Sequence, residues 1–539
     1  MRSQCLPFSQ IPHTTKLFTD FLSYSQNIRP FYPRSPHFKD WLKEEASSLH
    51  YDSTRRELVT AILERQNRAW GASPETLDHL ARLRHGALAA VTGQQVGLFG
   101  GPVFSLFKAL SAVRLASEAT AAGVDCVPVF WLATEDHDLA EVNHISIPGS
   151  DGTLQKLSTS THGVADARVG DIRFGPEIES VVEAAVEWLG DSDASRLLGE
   201  CYRTGETMGG AFARLFARLF ADWGVILLDA ADPELHQVAE PIYRAGIERA
   251  AELADLLLAR GAALEAAGYH QQVKVSSSST LLFAQRNGSR VPVHRGRSGG
   301  AQGAFVIGEE TVAQPELLRQ IAAEPHHFSA NVMLRPVVQD YLLPTLAYTG
   351  GAAEAAYFAQ AAVVFQALLG RVTPIVPRFS ATIIEAKPHA LLERYRLGFG
   401  DLLQGTEKLR ELLAARSLPQ DLQRAFEEAG ASLERSMAVV RSALESLDRT
   451  LIDAATHASE KMHYQLSQLR ARAARAELRQ AEILGRHADL LSNAVFPNKT
   501  LQEREVAGIY FMARYGNPLL QELCDTIRPD CLDHQVISL

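Results

Sequence analysis

One stretch constrains the fold more than any other. Leu88–Val91 is short and apolar, and TGQQVGLFGGP (92–102) follows as a glycine-rich loop. Val103 to about Ala122 reads as a helix with Pro102 at its first position, where a missing N–H costs nothing. VDCVPVFWLA (124–133) is a second apolar run, in which Pro128 is tolerable only near a strand start or an edge. Strand, glycine loop, helix and strand in that order form a βαβ unit, which requires a right-handed crossover and a parallel sheet. Continuous apolar strands, without alternation, fit a sheet covered on both faces. A third strand, GVILLDA (224–230), leads into a helix opened by Asp232-Pro233, and the same grammar resumes near RVTPIVPRFS (371–380).

The remaining text is organised around this unit. Residues 1–85 are mixed, with helices expected from Phe38 to about Trp70 and near Thr76–Arg84. The polar stretch from about 145 to 205 reads as an insertion between sheet strands. The runs QVKVS, TLLFAQ, VPVHRG and AFVIG, between 272 and 310, predict a small antiparallel subdomain within a second insertion ending near 330. Further on, Leu422, Phe426, Ala429, Leu433, Met437, Val440, Leu444, Leu447 and Leu451 recur at alternating spacings of three and four with one stutter, a heptad seam. A second seam runs Met462, Leu466, Leu469, Ala473, Ala476. With a break near Leu418-Pro419, this predicts a long helical hairpin or three-helix coiled coil, and a seam of this length implies a homodimer. The expected units are an α/β core over 1–385 with its insertions, a coiled-coil domain over 386–493, and a C-terminal segment over 494–539 that packs back on the core.

At roughly 150 residues per domain, 539 residues allow three to four such units. The net charge of −10 is spread along the chain and argues against nucleic-acid binding, which needs a basic stripe. Five scattered cysteines, Cys5, Cys126, Cys201, Cys524 and Cys531, suit a reducing cytoplasm and no disulfide framework. The start MRSQCLPFSQIPHTT lacks a signal-like apolar stretch, and the apolar region from Leu342 to Leu369 is interrupted by Pro344, Gly350, Gly351, Glu354 and Gln360. A cytoplasmic protein with no membrane contact is expected.

Three constellations could carry chemistry. In TGQQVGLFGGP, Gly93, Gly97, Gly100 and Gly101 stand where a strand turns into a helix N-terminus, a place where backbone N–H groups approach an anion. Gln94 and Gln95 could bond a ribose, an amide or a carboxylate. A plain tight βα turn would use the same glycines, and neither GxxxxGK[ST] nor GxGxxG is present. In TEDHDLAEVNH (134–144), Glu135, Asp136 and Asp138 could hold Mg²⁺ at the carboxyl edge of the sheet, with His137 as a general base. Helix capping by Asp136 or Asp138, with Glu141 in the first turn, explains one acidic residue but not four adjacent titratable groups. In NVMLRPVVQDYLLPTLAYTGGAAEAAYFAQ (331–360), Arg335 precedes a proline, and Glu354 and Tyr357 share a helix face that either lines a pocket or meets solvent. Arg378 and Arg504 are isolated cations that either meet an anionic substrate or sit in structural ion pairs. Cys524, Cys531 and His534 are one ligand short of a zinc site and badly spaced for it, and no metal site is assigned. The basic run Arg470 to Arg486 reads as the solvated side of a coiled coil.

Five blocks then carry a resemblance. VTGQQVGLFGGPVFSLFKALSAVRLA (91–116), VPVFWLATEDHDLAEVNH (127–144), LRPVVQDYLLPTLAYTGGAAEAAYFAQ (334–360), IVPRFS (375–380) and LQEREVAGIYFMARYG (501–516), in that order, resemble the cysteine-adding enzymes of bacillithiol biosynthesis. The resemblance spans nearly the whole chain. It implies a Rossmann-like core related to class I nucleotidyltransferases, inserted connecting subdomains and a dimerising coiled coil. It also implies a ligase that joins cysteine to the amine of glucosaminyl-malate in the last step of bacillithiol synthesis. Two departures stand out: Ala352-Ala353 replaces the family's Pro-Gly after the paired glycines, and the HxGH and KMSKS signatures are missing, with His137 and His144 seven apart.

Amide formation from a free carboxylate needs activation, normally by ATP with Mg²⁺, as an acyl-adenylate or an acyl-phosphate. Under the resemblance, Gly93, Gln94, Gln95, Gly97 and Lys108 hold the nucleotide or a substrate anion. Asp136, His137 and Glu135 form the catalytic cluster, His137 deprotonating the amine and Asp136 orienting it or holding the metal. Asp138, Glu354, Tyr357 and Arg504 contact substrate, and Arg335 or Arg378 meets the malate carboxylates, where a planar bidentate donor suits. Two alternatives remain: a nucleotide-dependent ligase or transferase acting on another amino sugar or small acid, and a non-catalytic dimeric scaffold. A scaffold has no reason to keep carboxylates at the sheet edge.

Overall fold

The computed structural model describes residues 2–149, 152–160, 165–296, 303–417, 420–480, 482–528 and 531–539. Its centre is a parallel sheet of β1 (Leu88–Gln94), β2 (Cys126–Leu132), β3 (Ile226–Asp229), β4 (Thr345–Gly350) and β5 (Ile375–Pro377). The strand order is β5-β4-β1-β2-β3. The chain therefore runs outward from β1 on one side and reappears on the other with β4. Such a reversal leaves a crevice at the carboxyl ends of the two central strands, where ligands of open α/β sheets bind.

Each strand is buried on both faces, as its uninterrupted apolar text requires. Ala89, Val91, Val129, Trp131, Ile226, Leu228 and Tyr348 point into one core. Phe130, Leu132 and Leu227 point into the other, beside Phe107, Leu110, Phe212 and Phe216. Helix α1 (Phe104–Ala121) covers the second face and α2 (Pro233–Glu248), capped by Asp232, the first. Pro102 is not the first helical residue: Val103 occupies the cap position of α1, and Pro102 forms an isolated antiparallel bridge with Ala507. Pro128 lies inside β2, and pairing with β3 begins only at Val129, so the missing donor is not demanded on that side.

β4 stands inside the sheet, between β5 and β1, although LPTLAYTGG, short and headed by Pro344, does not announce a strand. Helix α3 (Ala352–Leu369), which follows it, is the one helix among the described residues long and apolar enough to cross a membrane. Its side chains instead fill the first core. The second insertion is a five-stranded antiparallel sheet, in the order Glu310–Ala313, Ala304–Ile307, Ser289–Arg295, Ser279–Arg286, Phe328–Ala330. Gln272–Ser276, expected as its first strand, is irregular.

The heptad seam does not run through Leu451. Helix α4 (Gln420–Leu447) ends at Leu447, Asp448 caps a turn over Arg449–Leu451, and α5 (Ile452–Gln480) returns. The Asp448 side chain accepts from the Thr450 N–H, a local bond that competes with helix, so the last seam position belongs to the hairpin loop. The expected break at Leu418-Pro419 lies outside the described residues. Met437 is buried in the hairpin, but Val440, Leu447, Met462 and Leu469 are exposed.

The two ends of the chain meet in a separate three-stranded sheet, where His534–Ser538 lies between Arg2–Leu6 and Ala381–Ile384. Cys5 and Cys531 are joined there by a disulfide. This corrects the reading of five unpaired thiols: the two partners are 526 residues apart in sequence and become neighbours only when both termini join one sheet. Cys126, Cys201 and Cys524 are free and buried.

Candidate active site

A cavity of about 660 Å³ opens at the carboxyl ends of the parallel strands. All five strands supply it: Gly93 and Gln94 end β1, Glu135 and Asp136 follow β2, Ala230 follows β3, Gly351 and Glu354 follow β4, and Arg378 follows β5. Gly93 must be small, since a Cβ there would lie 3.2 Å from the Cβ and the carbonyl oxygen of Trp131.

A cationic cluster occupies one part of the wall. Lys108, buried in α1, donates to the carbonyl of Gly93 at 2.7 Å, to Gln94 Oε1 at 2.9 Å and to Glu354 Oε1 at 2.9 Å. Burial pushes its pKa down to about 8, against the pull of Glu354. Burial disfavours the charge on Glu354 as well, but Lys108, the Tyr348 hydroxyl and the Gly351 N–H overcome it and hold that carboxyl below its ordinary value. Glu354 thus locks Lys108 and caps α3, and Tyr357 on the same helix face accepts from Arg335 Nη2 at 2.7 Å. The Arg335 guanidinium lies 5.5 Å from the Tyr348 ring centroid and 6.0 Å from those of Trp131 and Tyr357, an aromatic cage that favours its charge together with the nearby Glu354 carboxylate.

The two isolated cations separate in role. Arg378 is buried and forms a two-pronged pair with Glu503 at 2.6 and 3.2 Å. The wall residue Arg504 carries no ion pair or side-chain hydrogen bond among the described residues. Its side chain reaches solvent, yet the protein packed around it and the neighbouring Arg378 lower its pKa. It is the cation best placed for an external anion.

An acidic cluster lines the same cavity. Gln95 Nε2 donates to Asp136 Oδ2 at 2.7 Å and to Glu141 Oε2 at 2.9 Å, tying the β1 and β2 loops together. Glu135 is buried beside His236 Nε2 at 3.1 Å and Arg168 Nη2 at 3.6 Å. Burial disfavours its charge, but His236, Arg168 and Arg290 outweigh burial and hold the Glu135 carboxyl below its ordinary value. His144 also lines the cavity, and burial and Lys156 lower its pKa.

Two expected site residues are not in the wall. His137 turns toward the antiparallel sheet, where its Nδ1 lies 3.2 Å from Arg290 Nη1 and its ring packs near Phe283. Asp138 is exposed at the cap position of the short helix Leu139–Val142 and makes no capping bond. The reason is local: Asp136 accepts from the His137 N–H at 2.7 Å, which turns the backbone out of the cavity after Asp136. The other expected residues, Gly93, Gln94, Gln95, Gly97, Lys108, Glu135, Asp136, Arg335, Glu354, Tyr357, Arg378 and Arg504, all line it. Trp131, Arg290, Asn331 and Tyr348 were missed. Trp131 and Tyr348 look like core strand residues, Arg290 comes from the inserted subdomain, whose approach no local pattern announces, and Asn331 stands where the chain leaves that subdomain.

Fold and cavity together define a Rossmann-like α/β protein with a charged cleft at its topological switch point and an appended coiled coil. Family models match the whole architecture: the bacillithiol biosynthesis BshC N-terminal Rossmann-like domain over residues 1–379, and the BshC C-terminal coiled-coil domain over 381–539. The chain belongs to the BshC family. It is 49% identical over 539 residues to a protein of Koribacter versatilis named "Putative cysteine ligase BshC", with the full length of both chains covered. Proteins of the same name from Solibacter usitatus (34% identical, both chains fully covered) and Salinibacter ruber (30%, 97% and 96% covered) are also similar.

Proposed function

We propose that this chain is a ligase that joins the carboxyl group of cysteine to the amine of glucosaminyl-malate, closing bacillithiol synthesis, with ATP activating the carboxylate. The observation that supports this reading is one cavity lined by an acidic cluster, a caged arginine and an arginine with no ion pair among the described residues. Arg504 and Arg335 meet the two malate carboxylates, which planar guanidinium groups bind in bidentate fashion. Lys108 and the backbone donors of the 93–101 loop hold the nucleotide anion. Asp136 and Glu141 orient the amine, and they are the residues that would hold Mg²⁺ through one or two oxygens. When bound, that ion neutralises phosphate charge.

In the coupling step the amine lone pair attacks the activated carbonyl, the C–N bond forms, and AMP or phosphate leaves. One proton must leave the amine, and His144 is the cavity histidine available to take it. His137, engaged with Arg290, acts only by positioning the loop. The exposed apolar seam on α4 and α5 supports pairing of two copies.

The decisive experiment incubates the protein with cysteine, glucosaminyl-malate, ATP and Mg²⁺, following the thiol product by mass and the nucleotide by chromatography. Product with AMP supports an adenylate route, and product with ADP an acyl-phosphate. Absence of any product and of any nucleotide turnover sinks the reading.

A further inference from the structure

Away from the cavity wall, one turn of the inserted subdomain displays an unassigned set of metal-ligating groups. Glu324, His326 and His327 each offer one donor atom, and these atoms lie within 4.8 Å of one another. Glu324 Oε2 lies 3.4 Å from His327 Nδ1, and the two imidazole ring centroids are 4.3 Å apart. Bonds of about 2.1 Å in a tetrahedral zinc site separate neighbouring donors by roughly 3.4 Å. The Glu324–His327 distance is therefore already that of a tetrahedral edge, and His326 needs only a side-chain rotation to join. Apart from the contact with Glu324, neither imidazole has a polar side-chain partner among the described residues.

The backbone that carries these groups is fastened on every side. Glu324 N–H donates to the Gln320 carbonyl at 2.9 Å, and His327 N–H to the Glu324 carbonyl at 3.0 Å. Pro325 is buried, and the next residues, Phe328–Ala330, pair with Ser279–Arg286. Arg168 Nη2 donates to the His326 carbonyl at 2.7 Å. A fixed backbone confines the ordering cost of binding to the three side chains. The same Arg168 guanidinium lies 3.6 Å from Glu135 in the cavity wall, so the turn and the cavity share one arginine.

We propose that Glu324, His326 and His327 bind one zinc-class divalent cation, with water or another ligand at its open fourth position. Two imidazole nitrogens and one carboxylate suit a borderline transition-metal ion, whereas Mg²⁺ and Ca²⁺ take all-oxygen sets. The site does not depend on the ligase reading. The test is a zinc titration of the chelator-stripped full-length protein against a chromophoric competitor, repeated with Co²⁺ to read the visible absorption of a four-coordinate ion. The expected result is one ion per chain with Kd on the order of 1 μM. His326→Ala and His327→Ala each weaken it about tenfold or more, and Glu324→Gln weakens it less. Metal-free melting curves check that the variants fold, and His326→Gln replaces any that does not. Binding weaker than about 100 μM, or variants that bind zinc as tightly as the parent, overturns the proposal.

Discussion

The cavity and the helical hairpin use charge and apolar surface in opposite ways. Around the cavity, Glu503 and Arg378 are almost fully buried, with side-chain exposures of 1% and 5%, and every Glu503 oxygen has a donor. Along the hairpin, pairs such as Arg441–Glu434 and His463–Glu434 are solvated, while Leu447 is 78% exposed. Burial makes a charge costly to orphan, and exposure makes it cheap. The core therefore spends its charged residues on geometry, and the hairpin carries surplus apolar surface that two copies could share.

The largest effect should come from breaking the buried pair. Glu503→Ala strands Arg378 and should lower the unfolding free energy by about 3–5 kcal/mol in urea denaturation. A loss below about 1 kcal/mol would place this pair with those of the hairpin. Next is His534, fully buried between Ser380 and Thr382, whose pKa burial lowers to about 4. The unfolded chain takes up a proton near pH 6.5 while the folded one does not, so stability is present above pH 6.5 and is lost as pH falls toward 4. His534→Gln should remove about 3 kcal/mol of that pH dependence, read as the difference between two pH–stability curves. If the curves stay parallel, His534 is not the group titrating.

Arg504→Ala should separate site from scaffold. The melting temperature should stay within about a degree, while kcat/KM for glucosaminyl-malate falls roughly 10- to 100-fold, the loss of one charged hydrogen-bonding group. A variant with unchanged KM and kcat removes Arg504 from the substrate site. The smallest effect on the single chain is expected on the hairpin. Leu447→Glu should change monomer stability by no more than about 0.5 kcal/mol, yet abolish the dimer in sedimentation. A parent chain that sediments as a monomer at every concentration ends the two-copy reading.

Much of the core was legible because its signals are local. Uninterrupted apolar strands, the glycine turn at Gly93 and the Asp232-Pro233 helix start each depend on neighbours a few residues away. The misreadings share the opposite cause. β4 is short and its neighbours in the sheet are remote, so LPTLAYTGG carries no strand signal of its own. His137 and Asp138 stand beside Asp136 in sequence, but one backbone hydrogen bond to the Asp136 carboxylate directs them away from the cleft. The seam positions near Leu447 and Leu451 kept their period across a turn, because periodicity records which face is apolar and not where the chain reverses.

By itself, then, the sequence determined the layers: a parallel sheet covered on both faces, an antiparallel insertion, and a long apolar seam, all written in repeats of two to seven residues. Tertiary structure alone decided the site. Lys108 meets Glu354 across 246 residues, Arg378 meets Glu503 across 125, and Cys5 meets Cys531 across 526. Contacts at such separations leave no periodic trace, because they are set by how the packed layers bring distant strand ends to one edge.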